Sequence, residues 1–489
     1  VIPMQQGVVA AGHDLTAEAG AAVLRDGGNA VDAAIAAIAM ACVCEPVLCS
    51  PGGGMFAMVR DGADGTVRLL DAFVHTPRRR AVTLDDGEHV VHADFGPARQ
   101  AFRIGPATSA TPGLFDGLAA LLDRFGTVPM TALVAGAADA AQRGITVTPF
   151  QHHLSTVVEP ILTATPGTRR LFAPKGSLLA VGDTFRNPGL ADALDLIARH
   201  GLGASAVGDA VLAHQAGRGH LTRDDLDRYE FAWRQPITVQ LGNGRIHINP
   251  LPAAGGVLIG HTLRQLDTGS ATELAGALAE TALARRAADG DLTALLDRPI
   301  RPRGTTHVSV VDADGTACSI TASNGEGNGE LVDGFGFMLN NILGEDDVNP
   351  HASAWPPDTR LSSMMCPTIV EHADGSVTAL GSGGSSRIRS AISRVVAALC
   401  LDAAGLDDAV RTPRLHAELS DRGDVRLDVE PGLDGATIER LASSFPDHRW
   451  WPTTDLYFGG AHAARLRADG SMVGTGDPRR SGASILVER

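Results

Sequence analysis

Residues 304–315 read GTTHVSVVDADG, and the residues after the first glycine decide how the chain is interpreted. Val308, Val310 and Val311 supply the β-branched residues of a strand. Asp312 to Gly315 has the composition of a hairpin turn, so a second strand is expected to return alongside the first. None of this requires the Gly-Thr-Thr-His that leads in.

A threonine hydroxyl is a weak nucleophile until a base takes its proton. If Thr305 became the first residue of a chain, its own α-amine, with an ordinary pKa of about 8, would serve as that base. The bond before it must then be cut. Gly304 suits such a cut, because a small residue lets the backbone bend until Thr305 Oγ approaches the Gly304 carbonyl. On these four residues alone, Thr305 and Thr306 could equally do no more than open a strand.

Upstream, residues 15 to 44 read as two helices split by Gly27-Gly28, with Asn29 as N-cap of the second and Asp32 in its first turn. SPGGGMFAMVRDG is a glycine loop feeding a strand, and VRLLDAFV is another strand. Residues 107 to 125 form a turn and an amphipathic helix, and 130 to 235 is mostly helical. ITVQLGNGRIHINP reads strand, tight turn, strand. Helices return over 256 to 300, and RPIRPRG is an extended connector. Downstream, 305 to 342 and 364 to 382 are strand-rich, 386 to 404 is a helix, and the C-terminus returns to strands. This order suggests one layered α/β body.

The composition limits what such a body does. The chain has 489 residues, 44% of them hydrophobic and 20% charged, enough for an extensive core. A formal net charge of −15 and the lack of a basic stripe argue against a nucleic-acid partner. Arg78 to Arg80 is the one basic cluster, a solvated turn or an anion contact. Six cysteines in so long a chain are no disulfide scaffold, and Cys42, Cys44 and Cys49 read as core thiols rather than a metal site. No metal and no cofactor is expected. Ala33 to Cys44, the longest apolar run, is too short to span a membrane, which needs about 20 residues. No signal peptide is visible, so the expectation is a cytoplasmic protein without a membrane partner; a trimmed leader before Val1 stays open. A homo-oligomer stays open too.

Three further stretches could carry chemistry. GSGGSSRIRSAI, Gly381 to Ile392, runs strand, glycine turn, helix, an order that aims backbone N–H groups at one point where an oxyanion or phosphate would sit. In LSSMMCPTIV, Ser362 and Ser363 could donate hydrogen bonds to a carboxylate. In MLNNILGEDD, Asn340 and Asn341 end a strand, and Glu345 or Asp346 could hold a substrate ammonium. There is no GxSxG elbow, HExxH or Walker A motif.

In this order, GGNAVDAAIAAIAMACVCEP with GGG, GTTHVSVVDADGTACSITAS, LNN, LSSM-CPTIV, GSGG-SRI and GDPRR resemble the γ-glutamyltransferase family of N-terminal-nucleophile hydrolases over nearly the whole chain. The resemblance implies a four-layer αββα fold. It implies a precursor cut between Gly304 and Thr305 into a large part, 1–304, and a small part, 305–489, that fold as one unit. By carry-over Thr305 is the nucleophile and its amine the base. Ser323 stands where the family has a supporting threonine hydroxyl. The backbone N–H groups of Gly384 and Ser385 form the oxyanion hole, although the family has glycine where Ser385 stands. Ser362 and Ser363 match a pair that contacts a substrate carboxylate, and Asn324 with Glu345 or Asp346 are counterparts of the amine-binding residues.

The departures concern glutamate recognition. Val74 stands where the family's arginine clamps the α-carboxylate, and Ile342 where it has an amine-binding glutamine; Arg78 is the expected substrate-binding arginine that reaches in instead of the lost clamp. ASNGEGNG replaces the usual residues after the first small-part strands, and the lid loop is short. The expectation is therefore an acyl-transferring hydrolase acting on a small molecule other than glutathione. Two alternatives stand beside it. The same threonine could cleave a carbon–carbon bond in natural-product (alkylproline-type) biosynthesis, or the chain could be a non-catalytic homologue acting as a binding protein.

Overall fold

The computed structural model describes residues 5–85, 87–94, 99–287, 304–344, 355–420 and 423–488. Glu345, Asp346 and most of the connector before Gly304 lie outside the described residues.

Two antiparallel sheets form the centre. The first has seven strands in the spatial order Ala483–Glu488, Gln5–Ala11, Thr306–Asp312, Ala317–Ser323, Gly54–Arg60, Val67–Ala72 and Ala232–Arg234. The hairpin expected from residues 304–315 is its middle: Val308 faces Ile320 and Val310 faces Cys318. Both of its strands are buried throughout. Strands from beyond residue 304 thus pair on either side with strands from before it. The second sheet has six strands, in the order Met472–Thr475, Gly460–Leu466, Val377–Gly383, Thr368–His372, Gly244–Ile248 and Ile237–Leu241.

The sheets pack face to face, and each carries helices on its outer side. Helix Ala30–Cys44 is buried at every residue between the first sheet and neighbouring helices. Its alanines let the backbones approach closely. Asn29 caps its start, as the sequence suggests, and in the structure it closes a reciprocal capping box with Asp32. Helices Ala254–Leu263 and Arg387–Cys400 cover the second sheet. The architecture is the αββα sandwich.

Three local expectations change. The stretch 324–341 is an irregular loop rather than strand, since Gly325, Gly327, Gly329, Gly334 and Gly336 all have positive φ. Asn340 and Asn341 accordingly follow an isolated bridge between Leu331 and Met338, not a strand. A hairpin, His89–Asp94 with Arg99–Ile104, and a three-stranded sheet, Leu415–Leu419, Val425–Val429 and His448–Trp450, appear where no strands were expected. In that small sheet charged residues interrupt the apolar alternation. The fully buried carboxylate of Asp428 is neutralised by Arg449 and bonded by Trp451 and Tyr457. All six cysteines are buried free thiols. Among the described residues, no helix is long and apolar enough to cross a membrane.

Candidate active site

The peptide between Gly304 and Thr305 sits at the entry to the central strand, inside the protein; Thr305 is 4% exposed. Hydrogen bonds fix it on every side. Ser323 Oγ donates to the Gly304 carbonyl oxygen at 2.7 Å. Ser323 in turn accepts from the Gly325 N–H at 3.1 Å, so its single proton is directed at the carbonyl. Gly304 N–H donates to Glu326 Oε1 at 3.0 Å. Arg480 Nη1 donates to the Thr305 carbonyl oxygen at 3.2 Å. The Thr305 hydroxyl thus lies one residue from a carbonyl that already accepts a hydrogen bond from another hydroxyl.

The next two residues anchor this peptide. Thr306 Oγ1 donates to Glu45 Oε2 at 2.6 Å, and Thr16 Oγ1 donates to Glu45 Oε1 at 2.9 Å. Burial pushes the Glu45 carboxyl up, while Thr306, His13, Thr16 and Arg480 oppose the shift. Burial pulls the Arg480 guanidinium down to about 10, against the attraction of Asp477 and Glu45. His307 is fully buried between the sheets. Ser309 Oγ donates to the His462 carbonyl, so it can only accept from His307 Nε2–H, and Nδ1 accepts from Thr321 at 2.8 Å. Burial and the neighbouring His462 hold His307 well below its usual pKa. It is a neutral spacer, and a Cβ at Gly381 in the facing strand would come within 2.4 Å of its ring.

The second sheet meets Thr305 at Gly383, where a Cβ would lie 2.2 Å from the Thr305 carbonyl oxygen. Gly384 and Ser385 then turn the chain into helix Arg387–Cys400, with φ of +117° and +53°. The positive φ of Ser385 explains why a glycine suits this position, and a serine there bears left-handed strain. The GDPRR stretch closes the site from behind. Asp477 caps the turn Pro478–Arg480 and is ion-paired to Arg414 and Arg479. Although burial alone would raise it, those two arginines hold its carboxyl low. Arg479 makes a forked pair with Glu430 at 2.7 and 2.6 Å, which leaves Arg480 directed at Thr305.

The expected recognition residues are differently engaged. Ser362 Oγ donates to the Pro252 carbonyl, and Ser363 Oγ accepts from the Met365 N–H. Asn324 is fully buried, and neither amide atom has a hydrogen-bond partner. The Arg78 guanidinium is salt-bridged to Asp358 at 2.9 Å and donates to the Arg228 carbonyl. Val74 is fully buried in an apolar cluster with Phe73, Ile342, Trp355, Leu361 and Met364. Asn340 ties the Gly52 and Ala110 carbonyls together, and Asn341 Oδ1 accepts from the Glu326 N–H. Glu45 and Glu326 were not singled out in the sequence. Glu45 precedes a proline at a helix end, and Glu326 is a lone acid in a glycine-rich run; neither pattern marks a contact made across the fold.

The chain is similar to known proteins along nearly its whole length. The family model described as Gamma-glutamyltranspeptidase matches residues 16–282 and 266–487. A "Glutathione hydrolase proenzyme" of Pseudomonas aeruginosa is 29% identical over 551 aligned positions, covering 99% of this chain and 95% of the relative. An "Acylase ACY 1 proenzyme" of a Pseudomonas species is 27% identical, covering 99% and 94%. The crystal structure of a cephalosporin acylase from Bacillus halodurans superposes with a TM-score of 0.81 over 100% of this chain and 97% of that one; at 22% identity this is a likeness of fold.

Proposed function

Because the chain belongs to the gamma-glutamyltranspeptidase family of hydrolases and acyltransferases, we propose that it cuts itself between Gly304 and Thr305 and then uses Thr305 as an N-terminal nucleophile on an amide other than glutathione. The observation that carries this reading is the hydroxyl of Ser323 directed at the carbonyl beside Thr305.

In self-cleavage, Thr305 Oγ attacks the Gly304 carbonyl carbon while Ser323 stabilises the developing oxyanion. The C–N bond breaks, the Oγ proton passes to the released amine, and water hydrolyses the ester. The parts 1–304 and 305–489 stay together, since their strands pair within one sheet. In turnover, the freed amine takes the Oγ proton, Oγ attacks the substrate carbonyl, and the N–H groups of Gly384 and Ser385 receive the oxyanion. The amine then protonates the leaving nitrogen, and water or a second amine takes the acyl group.

The substrate differs from glutathione because the arginine that clamps glutamate is replaced by Val74, packed in an apolar cluster that includes Ile342. Arg78 does not substitute for it while bound to Asp358 and Arg228. The acylase among the relatives supports amides of other acids as substrates. Denaturing electrophoresis tests the cut: two fragments of the sizes of 1–304 and 305–489 are expected, and one intact chain for Thr305→Ala. A screen of γ-glutamyl anilide against other N-acyl anilides tests the specificity. Efficient γ-glutamyl turnover at low substrate concentration would overturn the lost-clamp reading.

A further inference from the structure

With its peptide bond intact, the Gly304 unit is itself an acyl group bound beside the nucleophile. Its carbonyl oxygen accepts from Ser323 Oγ at 2.7 Å, and its N–H donates to Glu326 Oε1 at 3.0 Å. Glu326 is 2% exposed, and its backbone is held by Asn341. A Cβ on Gly304 would lie 2.6 Å from the Gly325 carbonyl oxygen and 3.1 Å from both Leu48 Cδ2 and the Val47 carbonyl oxygen. Two of those neighbours are backbone, which cannot swing aside. The slot around this α-carbon is closed to a side chain.

Self-cleavage transfers that acyl group to Thr305 Oγ. The ester so formed has the same connectivity as the acyl-enzyme of a substrate on the same oxygen. When the end of 1–304 departs, the buried Glu326 carboxylate loses the Gly304 N–H. A substrate that restores the donor places a nitrogen two bonds from the attacked carbonyl carbon.

We infer that the mature site accepts glycyl amides, α-aminoacyl groups with an unsubstituted α-carbon, whose ammonium is held by Glu326 in the position of the Gly304 N–H. This rests on Thr305 being the unmasked nucleophile. Thr305 Oγ bonds to the glycyl carbonyl carbon, and the amide C–N bond breaks. The Oγ proton reaches the leaving amine through the Thr305 α-amine, and water then releases glycine. In a γ-glutamyl group the amine is four bonds from the carbonyl, so Glu326 at this position cannot serve it in the same way.

The test uses purified protein and the 4-nitroanilides of glycine, L-alanine, acetic acid and γ-glutamate, with 4-nitrophenyl acetate as an activated ester. Glycyl anilide is expected to exceed both the acetyl and the alanyl compound in kcat/KM by about tenfold or more, as expected for a charge-assisted hydrogen bond and a closed slot. Glu326→Gln should narrow the glycyl-to-acetyl ratio to within about threefold. The wild-type series stands by itself if that variant fails to mature. Two fragments and ester turnover, with alanyl or acetyl anilide handled as well as glycyl, would overturn the glycyl assignment alone. An uncut chain inert to the ester would overturn the nucleophile assignment, and this one with it.

Discussion

Ser323 Oγ stands 2.7 Å from the Gly304 carbonyl oxygen, with its proton directed there by the Gly325 N–H that it accepts. A preorganised donor at the oxyanion position speeds such an attack by about 10²- to 10³-fold. Ser323→Ala should slow the appearance of the two fragments by about that factor. Ser323→Thr, which keeps the hydroxyl, should stay within about tenfold. Time-resolved electrophoresis after expression reads both; equal rates for Ser323→Ala and wild type would remove Ser323 from the cleavage step.

The tie between Thr306 and Glu45 lies in the interior. Thr306→Val keeps the shape and leaves a buried carboxylate with one donor fewer. A loss of about 1–3 kcal/mol is expected, because an unsatisfied buried acceptor bears its full desolvation cost. Denaturant unfolding of the variant against wild type measures it, and an unchanged midpoint would show that the contact contributes nothing.

Ser385 holds φ of +53°, a conformation that disfavours a side chain by about 1–2 kcal/mol. Ser385→Gly should relieve part of this, offset by the extra freedom glycine has in the unfolded chain. The net expectation is a small stabilisation, about 0.5–1 kcal/mol, seen as a higher Tm. A lower Tm would mean that the serine side chain holds the turn.

An arginine introduced at position 74 should fail to bring γ-glutamyl recognition. Val74 is fully buried, and its carbonyl accepts from the Leu361 N–H. An arginine there places an unpaired charge in apolar surroundings at a cost of more than about 3 kcal/mol. Val74→Arg is expected to lose soluble yield and gain no γ-glutamyl anilide turnover. Recovery of that turnover would show that recognition differs from the family's by this one residue.

Acid should weaken the inter-sheet core. Burial holds His462 at about 4 against an ordinary 6.5, with Asp477 opposing and Arg480 and Arg414 assisting. Below pH 6.5 the unfolded chain takes a proton that the folded one refuses. Stability is therefore complete above 6.5 and falls as the pH drops towards 4. One such histidine accounts for roughly 3 kcal/mol. A scan of Tm against pH should slope downward through that window, and His462→Gln should flatten the slope.

The central hairpin, the paired N-terminal helices with their Asn29 cap and the strand–turn–helix at Gly381–Ile392 were legible in the sequence. Each follows from periodicity, caps and turn residues within a few positions of one another. Ser323 entered only through the family resemblance, and the structure sets its hydroxyl on the Gly304 carbonyl as the central strand and its return pair. The other partners of that peptide were not legible. Glu45, Glu326 and Arg480 come from a helix end, a glycine loop and a turn near the C-terminus, and they meet only when the two sheets stack and the long connections close. The small sheet around Asp428 was hidden for the same reason, since Arg449 reaches Asp428, and Arg426 reaches Glu418, across strands. Local chemistry thus determined where the candidate threonine, Thr305, lies and how its strand begins. Long-range packing decided which charges surround it and how little room is left beside Gly304, because burial and hydrogen-bond satisfaction belong to the assembled core and to no single stretch of chain.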